Sequence, residues 1–508
     1  MMKFRSPFLL CAALALLSAA SALADITLAP LFRDGAVLQR DQPLVVWGRA
    51  AAAEKVEVKF RGQSASAITG ADGRWRVTLQ PEKGSAVPSE LVAVGANTVV
   101  VKDVLVGEVW LCSGQSNMAM AVRNSHDADR EMAAANFPQI RQFRVPNVAS
   151  ARRVEDIAGN WVACSPATAG NFSAVAYYFA RDLHRRLGVP VGIVNSSWGG
   201  TQLEGWMSEE ILKESPFAKD IFSRWESRLA GYPSAVAAYE KAQAKWESDR
   251  ASAQAAGKAF KRKKGAAPEG PGSRWIPGGI YNAMIAPLVP YAFRGVLWYQ
   301  GEANATRHAE YGSLFKAMIR QWRADFCQPL PFYFVQLANY ELNAGNKGDV
   351  WAFQREAQAQ ALTLPNTGMA VIIDAGDAKD LHPKNKQEVG RRLALIARRQ
   401  LFGERVEAEG PAFAGAKAEA GAMRVSFARS GNLKLEPSRG DGRMSFEVAG
   451  ADKVFVPAEA KLDGRTLLVS AEAVPNPVAV RYAWRNSPEA RLFSVGGLPA
   501  APFRSDKW

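Results

Sequence analysis

Cysteine and histidine are scarce, with four of each in 508 residues. Cys11 lies in the first apolar run. The remaining three, Cys112, Cys164 and Cys327, form an odd set that allows at most one internal disulfide, and without a C-x-x-C pair there is no zinc-ribbon or dithiol motif. The chain has no H-E-x-x-H and no G-x-x-x-x-G-K, so nothing calls for a metal or a nucleotide, and no cofactor is expected. Beyond residue 24 no stretch approaches the 18 or so apolar residues of a membrane span, so no integral membrane segment is expected in the mature chain. Disorder is excluded as well, because 48% of the residues are apolar and only 22% are charged.

The first 24 residues read as a leader. Lys3 and Arg5 precede an apolar stretch from Phe8 to Leu17, and Ala22-Leu23-Ala24 is a small-residue cleavage site. Export to the periplasm or the medium is expected, with cleavage after Ala24. Removing the leader takes two positive charges from a net +14 and leaves +12. Such a surface favours anionic neighbours such as acidic saccharides or the cell surface, and export argues against nucleic acid as a partner. The oligomeric state has no signature here.

Three regions follow. From 25 to 103, Val56, Val58 and Phe60, a turn at Ala71-Asp72-Gly73, and then Trp75, Val77 and Leu79 alternate with period two, as antiparallel strands of a small β-sandwich do. From 104 to 403, continuous apolar runs alternate with amphipathic helices. The runs are Val104 to Cys112, Val189 to Val194, Phe293 to Tyr299, Phe332 to Leu337 and Met369 to Asp374. Strands apolar on both faces are what a parallel sheet covered by helices requires, so the expected fold class is α/β, a doubly wound three-layer domain. Residues from about 209 to 272, rich in Ala, Lys, Glu and Arg, interrupt that rhythm and read as a helical insertion with a trailing loop. From 404 to 508 the period-two texture returns at Met423, Val425 and Phe427, then Leu467 and Val469, as a second β-module.

Ligands of such sheets bind at the carboxyl ends of the strands. There stands Ser113-Gly114-Gln115-Ser116-Asn117-Met118, a small-residue turn that presents Ser116 as a candidate nucleophile. A serine needs a base, and four histidines make that requirement narrow. His382 follows the fifth strand in Asp377-Ala378-Lys379-Asp380-Leu381-His382-Pro383, with a carboxylate two residues away to orient its ring. Acyl transfer also needs oxyanion donors. Asn195-Ser196-Ser197-Trp198-Gly199-Gly200-Thr201 offers backbone N–H groups at its paired glycines, and Trp298-Tyr299-Gln300-Gly301-Glu302-Ala303-Asn304 offers side-chain amides.

Taken together, Gly114-Gln115-Ser116-Asn117-Met118, Trp198-Gly199-Gly200-Thr201, Trp298 to Asn304 and Asp380-Leu381-His382-Pro383 resemble the sialate O-acetylesterase family of the SGNH hydrolases. The resemblance covers roughly Val104 to Phe402. It implies a flavodoxin-like SGNH domain flanked by β-modules, with Ser116 as nucleophile, His382 as general base and acid, and Asp380 as orienting carboxylate. The oxyanion would be held by the N–H of Ser116, an N–H of Gly199 or Gly200, and an amide of Gln300 or Asn304. Gln115, Asn117, Trp198 and Glu302 would line the site.

Two departures from the superfamily pattern stand out. The D-x-x-H block has Lys379 three places before His382, which leaves Asp377 as a second candidate carboxylate. The G-x-N block is stretched to Gly301-Glu302-Ala303-Asn304. The implied reaction is removal of O-acetyl groups from carbohydrate through an acetyl-serine, on acetylated sialic acids first and on xylan or xyloglucan as the alternative. A noncatalytic carbohydrate-binding protein and a lipid-directed esterase are the rival classes. Trp198, Trp206, Trp298 and Tyr299 lie beside the motifs, where they could stack on sugar rings; packing the core is the expected role of each.

Overall fold

The computed structural model describes residues 25–341, 349–428 and 431–508; the leader assigned to residues 1–24 lies outside them. Its centre is a sheet of β1 (Thr98–Gly114), β2 (Phe137–Arg144), β3 (Trp161–Cys164), β4 (Val191–Ser197), β5 (Gly295–Tyr299), β6 (Phe332–Val335) and β7 (Thr367–Ala370). The spatial order is β3-β2-β4-β1-β5-β6-β7, parallel throughout except for β3, which runs antiparallel to β2 at the edge. Without the two outer strands, β4-β1-β5-β6-β7 is the 2-1-3-4-5 order of a flavodoxin-like sheet. The sequence reading had no strands at β2 and β3: Phe137–Arg144 carries Gln, Arg and Pro among its apolar residues and lacks the continuous apolar run of the inner strands.

The pleat of β1 explains the three layers. Val109 and Leu111 point into one apolar cluster with Phe315 and Trp322 of α3 (His308–Asp325), whereas Trp110 and Cys112 point into another with Phe179 of α1 (Ala174–Leu187) and Leu393 of α5 (Lys386–Leu401). Helix α1 stops where the sequence reading placed its end, because Gly188 adopts the left-handed φ of +65° and its N–H donates to His184 O.

β1 also joins regions. Its first half pairs with strands Val37–Gln39 and Ser85–Val94 of the N-terminal module, its second half with β4 and β5, so the expected boundary at 103/104 falls inside one continuous strand. The strands Leu44–Arg49 and Arg74–Leu79 pack over this extension in a separate three-stranded sheet. The C-terminal module is built on two four-stranded antiparallel sheets around Val425, Val448 and Tyr482. Arg355, fully buried on α4 (Val350–Ala359), fastens it to the central domain by donating to Leu337 O and Ala338 O on one side and Arg485 O and Asn486 O on the other. The insertion contains α2 (Ala218–Ala255), 38 residues long, with Ile221 as its one buried residue.

Candidate active site

Three motif loops leave the sheet at one level because their strands end in register. Gly114, the last residue of β1, sits opposite Ser197 on one side and Tyr299 on the other. Only glycine fits there: φ is +131°, and a β-carbon would stand 2.1 Å from Tyr299 O. The chain then turns, and Ser116 opens the short helix Ser116–Ala119 with its hydroxyl half-exposed at the sheet mouth.

His382 arrives from 266 residues away. Its Nε2 lies 2.8 Å from Ser116 Oγ, the distance at which an imidazole can take a serine proton. Burial, with the Lys386 ammonium second, holds its pKa below the ordinary histidine value against the opposing pull of Asp380. The ring is therefore neutral and able to accept a proton at neutral pH. Oδ1 of half-buried Asp380 accepts the His382 backbone N–H at 2.8 Å, which keeps the carboxylate beside the histidine without engaging Nδ1. Exposed Asp377 accepts the Lys379 N–H at 2.9 Å and serves the turn.

Of the oxyanion candidates, Gly199 lies against the nucleophile: a β-carbon on it would meet Ser116 Cβ at 3.3 Å. Gly200 adopts φ +71° beside Arg274. Gln300 is a different case. Both its amide protons are spent, on Thr201 O at 3.1 Å and Asn304 Oδ1 at 2.8 Å, and its oxygen accepts from Tyr311. Asn304 is as buried, with Nδ2 on Glu204 and Oδ1 taken by the Leu203 N–H. These two amides brace the loops beneath the site. Their sequence position alone suggested donors; in the structure Thr201 O and Asn304 Oδ1 accept from Gln300, and Glu204 accepts from Asn304.

The residues flanking Ser116 act as staples. Gln115 Oε1 accepts the N–H groups of Gly301 and Ala303. Asn117 Nδ2 donates to Glu302 Oε1 at 2.6 Å and to Leu381 O at 3.0 Å, so it ties the nucleophile turn to the third motif and to the residue before His382. Its Oδ1 accepts from Lys386 Nζ at 2.5 Å. Lys386 is wholly buried, 5.1 Å from the centre of the Tyr299 ring, and burial brings its pKa down to about 7 in spite of Glu302 and Asp380. Burial likewise raises the Glu302 carboxyl, whose Oε2 has no hydrogen-bond partner. Sequence reasoning missed Lys386. It opens a helix after Asn385, where lysines are ordinarily solvated.

Trp206, Trp298 and Tyr299 are fully buried, as expected of core residues, but Trp198 is half-exposed beside Gly199. The three described cysteines are all free, with Cys112 and Cys164 buried, and burial pushes the Cys112 thiol far up, away from reactivity. Among the described residues no cluster of three or more His, Cys, Asp or Glu is arranged to hold a metal ion, and no helix is long and apolar enough to cross a membrane.

The family pattern described as carbohydrate esterase, sialic acid-specific acetylesterase matches residues 270–398. The chain is 31% identical to rat sialate O-acetylesterase over 92% of both chains, and 28% identical to the human protein over 92% of this chain and 90% of that one. Its fold resembles the crystal structure of a carbohydrate acetylesterase from Xanthomonas citri, with a TM-score of 0.79 and 39% identity, covering 95% of this chain and all of that one. The class is thus that of the carboxylic ester hydrolases that act on carbohydrate esters. Within that class, the chain belongs to the sialate O-acetylesterase family.

Proposed function

We propose that this chain is an exported serine esterase that removes O-acetyl groups from carbohydrate, with O-acetylated sialic acid as the primary substrate. The observation that carries the reading is the 2.8 Å approach of His382 Nε2 to Ser116 Oγ at the carboxyl end of the sheet. Ser116 Oγ attacks the acetyl carbonyl while His382 takes its proton. The carbonyl oxygen, now negative, is met by the N–H groups of Ser116 and of Gly199 or Gly200. The imidazolium returns the proton to the sugar oxygen as the C–O bond breaks. Water, activated by the same ring, then releases acetate and regenerates the serine. Asp380 favours the transient imidazolium by its charge, through the loop it shares with His382.

Sialic acid as the sugar follows from the names of the rat and human relatives. The 39% identical Xanthomonas relative, described only as a carbohydrate acetylesterase, keeps cell-wall polysaccharide as the second reading. Export rests on the leader in residues 1–24.

The test has two parts. Ser116→Ala should abolish p-nitrophenyl acetate turnover and labelling by a fluorophosphonate while the fold persists; a folded, active variant would remove the assignment. Acetate release from O-acetylated sialic acid should exceed that from acetylated xylan and xyloglucan oligosaccharides, and the reverse order would move the enzyme to the second reading.

A further inference from the structure

The insertion has no part in the chemistry described so far, yet its root stands beside the nucleophile. Helix α2 leaves the domain as a mostly exposed rod, and the chain returns alongside it, held by Trp246 Nε1 donating to Arg262 O at 2.8 Å and by the Arg262–Asp249 ion pair. Its half-buried positions include one apolar stripe at helical spacing, Trp225, Leu229, Tyr232, Val236, Tyr239 and Trp246, while most of the remaining helix surface is exposed.

The returning segment ends in Arg274-Trp275. Arg274 Nη1 donates to Gly199 O at 2.7 Å, and Gly199 lies against Ser116. On one side of this pair is a cleft of about 400 Å³ walled by Trp198, Tyr232 and Arg274; on the other is one of about 760 Å³ walled by Trp225, Arg228 and Trp275. Both are open depressions wide enough to seat sugar rings. Their aromatic residues, Trp198, Trp225, Tyr232 and Trp275, are all half-exposed, whereas Trp110, Trp206, Trp298 and Trp322 of the same domain are completely buried. The Trp275 ring is covered by the Arg228 and Arg274 guanidinium groups, whereas Trp198, Trp225 and Tyr232 present half-exposed rings beside charged side chains, an amphipathic surface that suits a sugar, apolar on its C–H face and hydroxylated at its rim.

We infer that the insertion is a glycan-docking arm: the cleft of Trp198, Tyr232 and Arg274 receives the sugar next to the acetylated residue, and the cleft beyond Trp275 receives the chain that continues from it. The favoured substrate class is accordingly an acetylated oligosaccharide, in preference to a free acetylated monosaccharide. This rests on the carbohydrate-esterase reading above. Both clefts need the insertion, since Tyr232, Trp225 and Arg228 all belong to α2.

The test compares kcat/KM for three substrates in the same preparation: p-nitrophenyl acetate, a free O-acetylated sialic acid, and an oligosaccharide carrying that acetylated residue. The wild type should prefer the oligosaccharide. Tyr232→Ala and Trp225→Ala should lower the ratio of its kcat/KM to that for p-nitrophenyl acetate by about tenfold each, chiefly through KM. Calorimetry with the non-acetylated oligosaccharide and Ser116→Ala protein should show binding that the added Tyr232→Ala weakens to a similar degree. Unchanged ratios with unchanged binding would overturn the arm and leave the esterase reading intact. Acetate release from no saccharide at all, with p-nitrophenyl acetate still hydrolysed, would overturn both.

Discussion

Removing the buried charge pair beneath the nucleophile, by the double substitution Lys386→Met with Glu302→Gln, should stabilise the protein while shifting its activity. The Lys386 ammonium titrates at about 7 in place of an ordinary 10.5. Between those values the unfolded chain holds a proton that the folded chain has lost, so stability falls as pH drops through the window. At about 1.4 kcal/mol per pH unit the accumulated penalty at pH 7 is about 5 kcal/mol. Methionine keeps the volume without the charge, and the Glu302→Gln change keeps a carbonyl acceptor for Asn117 Nδ2. What is lost is the partner of Asn117 Oδ1, worth about 1–3 kcal/mol. A net gain of about 2–4 kcal/mol at pH 7 follows. Lys386→Met alone leaves the Glu302 carboxylate without a counter-charge and should fall short of the double variant.

Urea unfolding at pH 7 and pH 10.5 measures this directly. The gain should vanish or change sign at the higher pH, where wild-type Lys386 carries no penalty. Loss of the positive neighbour raises the His382 pKa, so the acid limb of kcat/KM should move to higher pH. A double variant less stable than wild type at pH 7, or one whose gain is equal at both pH values, would refute the reasoning.

Three further outcomes are expected. The wild-type acid limb of kcat/KM should lie below the ordinary histidine value of about 6.5, because activity needs neutral His382 and burial lowers its pKa; a limb above that value would contradict the assignment. Asp380→Asn should reduce kcat at least about tenfold and by more than Asp377→Asn, whose exposed carboxylate serves only a turn, and steady-state kinetics giving the opposite order would transfer the role. Gly114→Ala should destabilise by more than about 3 kcal/mol, since it combines a positive φ with a clash against Tyr299 O, and a denaturation midpoint near wild type would count against the close approach of β1 and β5.

The inner sheet was legible because parallel strands buried on both faces must be apolar without interruption, a signal carried by Val296-Leu297-Trp298-Tyr299 and by Phe332-Tyr333-Phe334-Val335. The outer strand β2 was not, since its run contains Gln139, Arg141 and Gln142; Arg141 is nonetheless buried, donating to Gly35 O and Asp103 O. Ser116 and His382 could be proposed because both follow strand ends and few histidines compete. The partners of Gln300, Asn304 and Lys386 could not be. A side-chain amide reads the same in sequence whether it faces substrate or Glu204, and a lysine reads the same whether it faces water or Asn117. Those distinctions arise only when loops separated by about a hundred residues or more are brought together.

That convergence also explains why a buried lysine is worth keeping at such a cost. A serine and a histidine 266 residues apart stay within hydrogen-bond reach only if their loops are held to one another, and among the described residues Asn117 provides the direct side-chain link from the nucleophile turn to the residue before His382. An amide left to itself could rotate and present either end to Leu381 O. The protonated Lys386 can only donate and the Glu302 carboxylate accepts, so with the ammonium on Oδ1 and Glu302 and Leu381 O on Nδ2, one orientation of Asn117 satisfies all three neighbours. The charges thus fix the amide, the amide fixes the loops, and the alignment of Ser116 with His382 follows from a network that weakens the fold by several kcal/mol below pH 7.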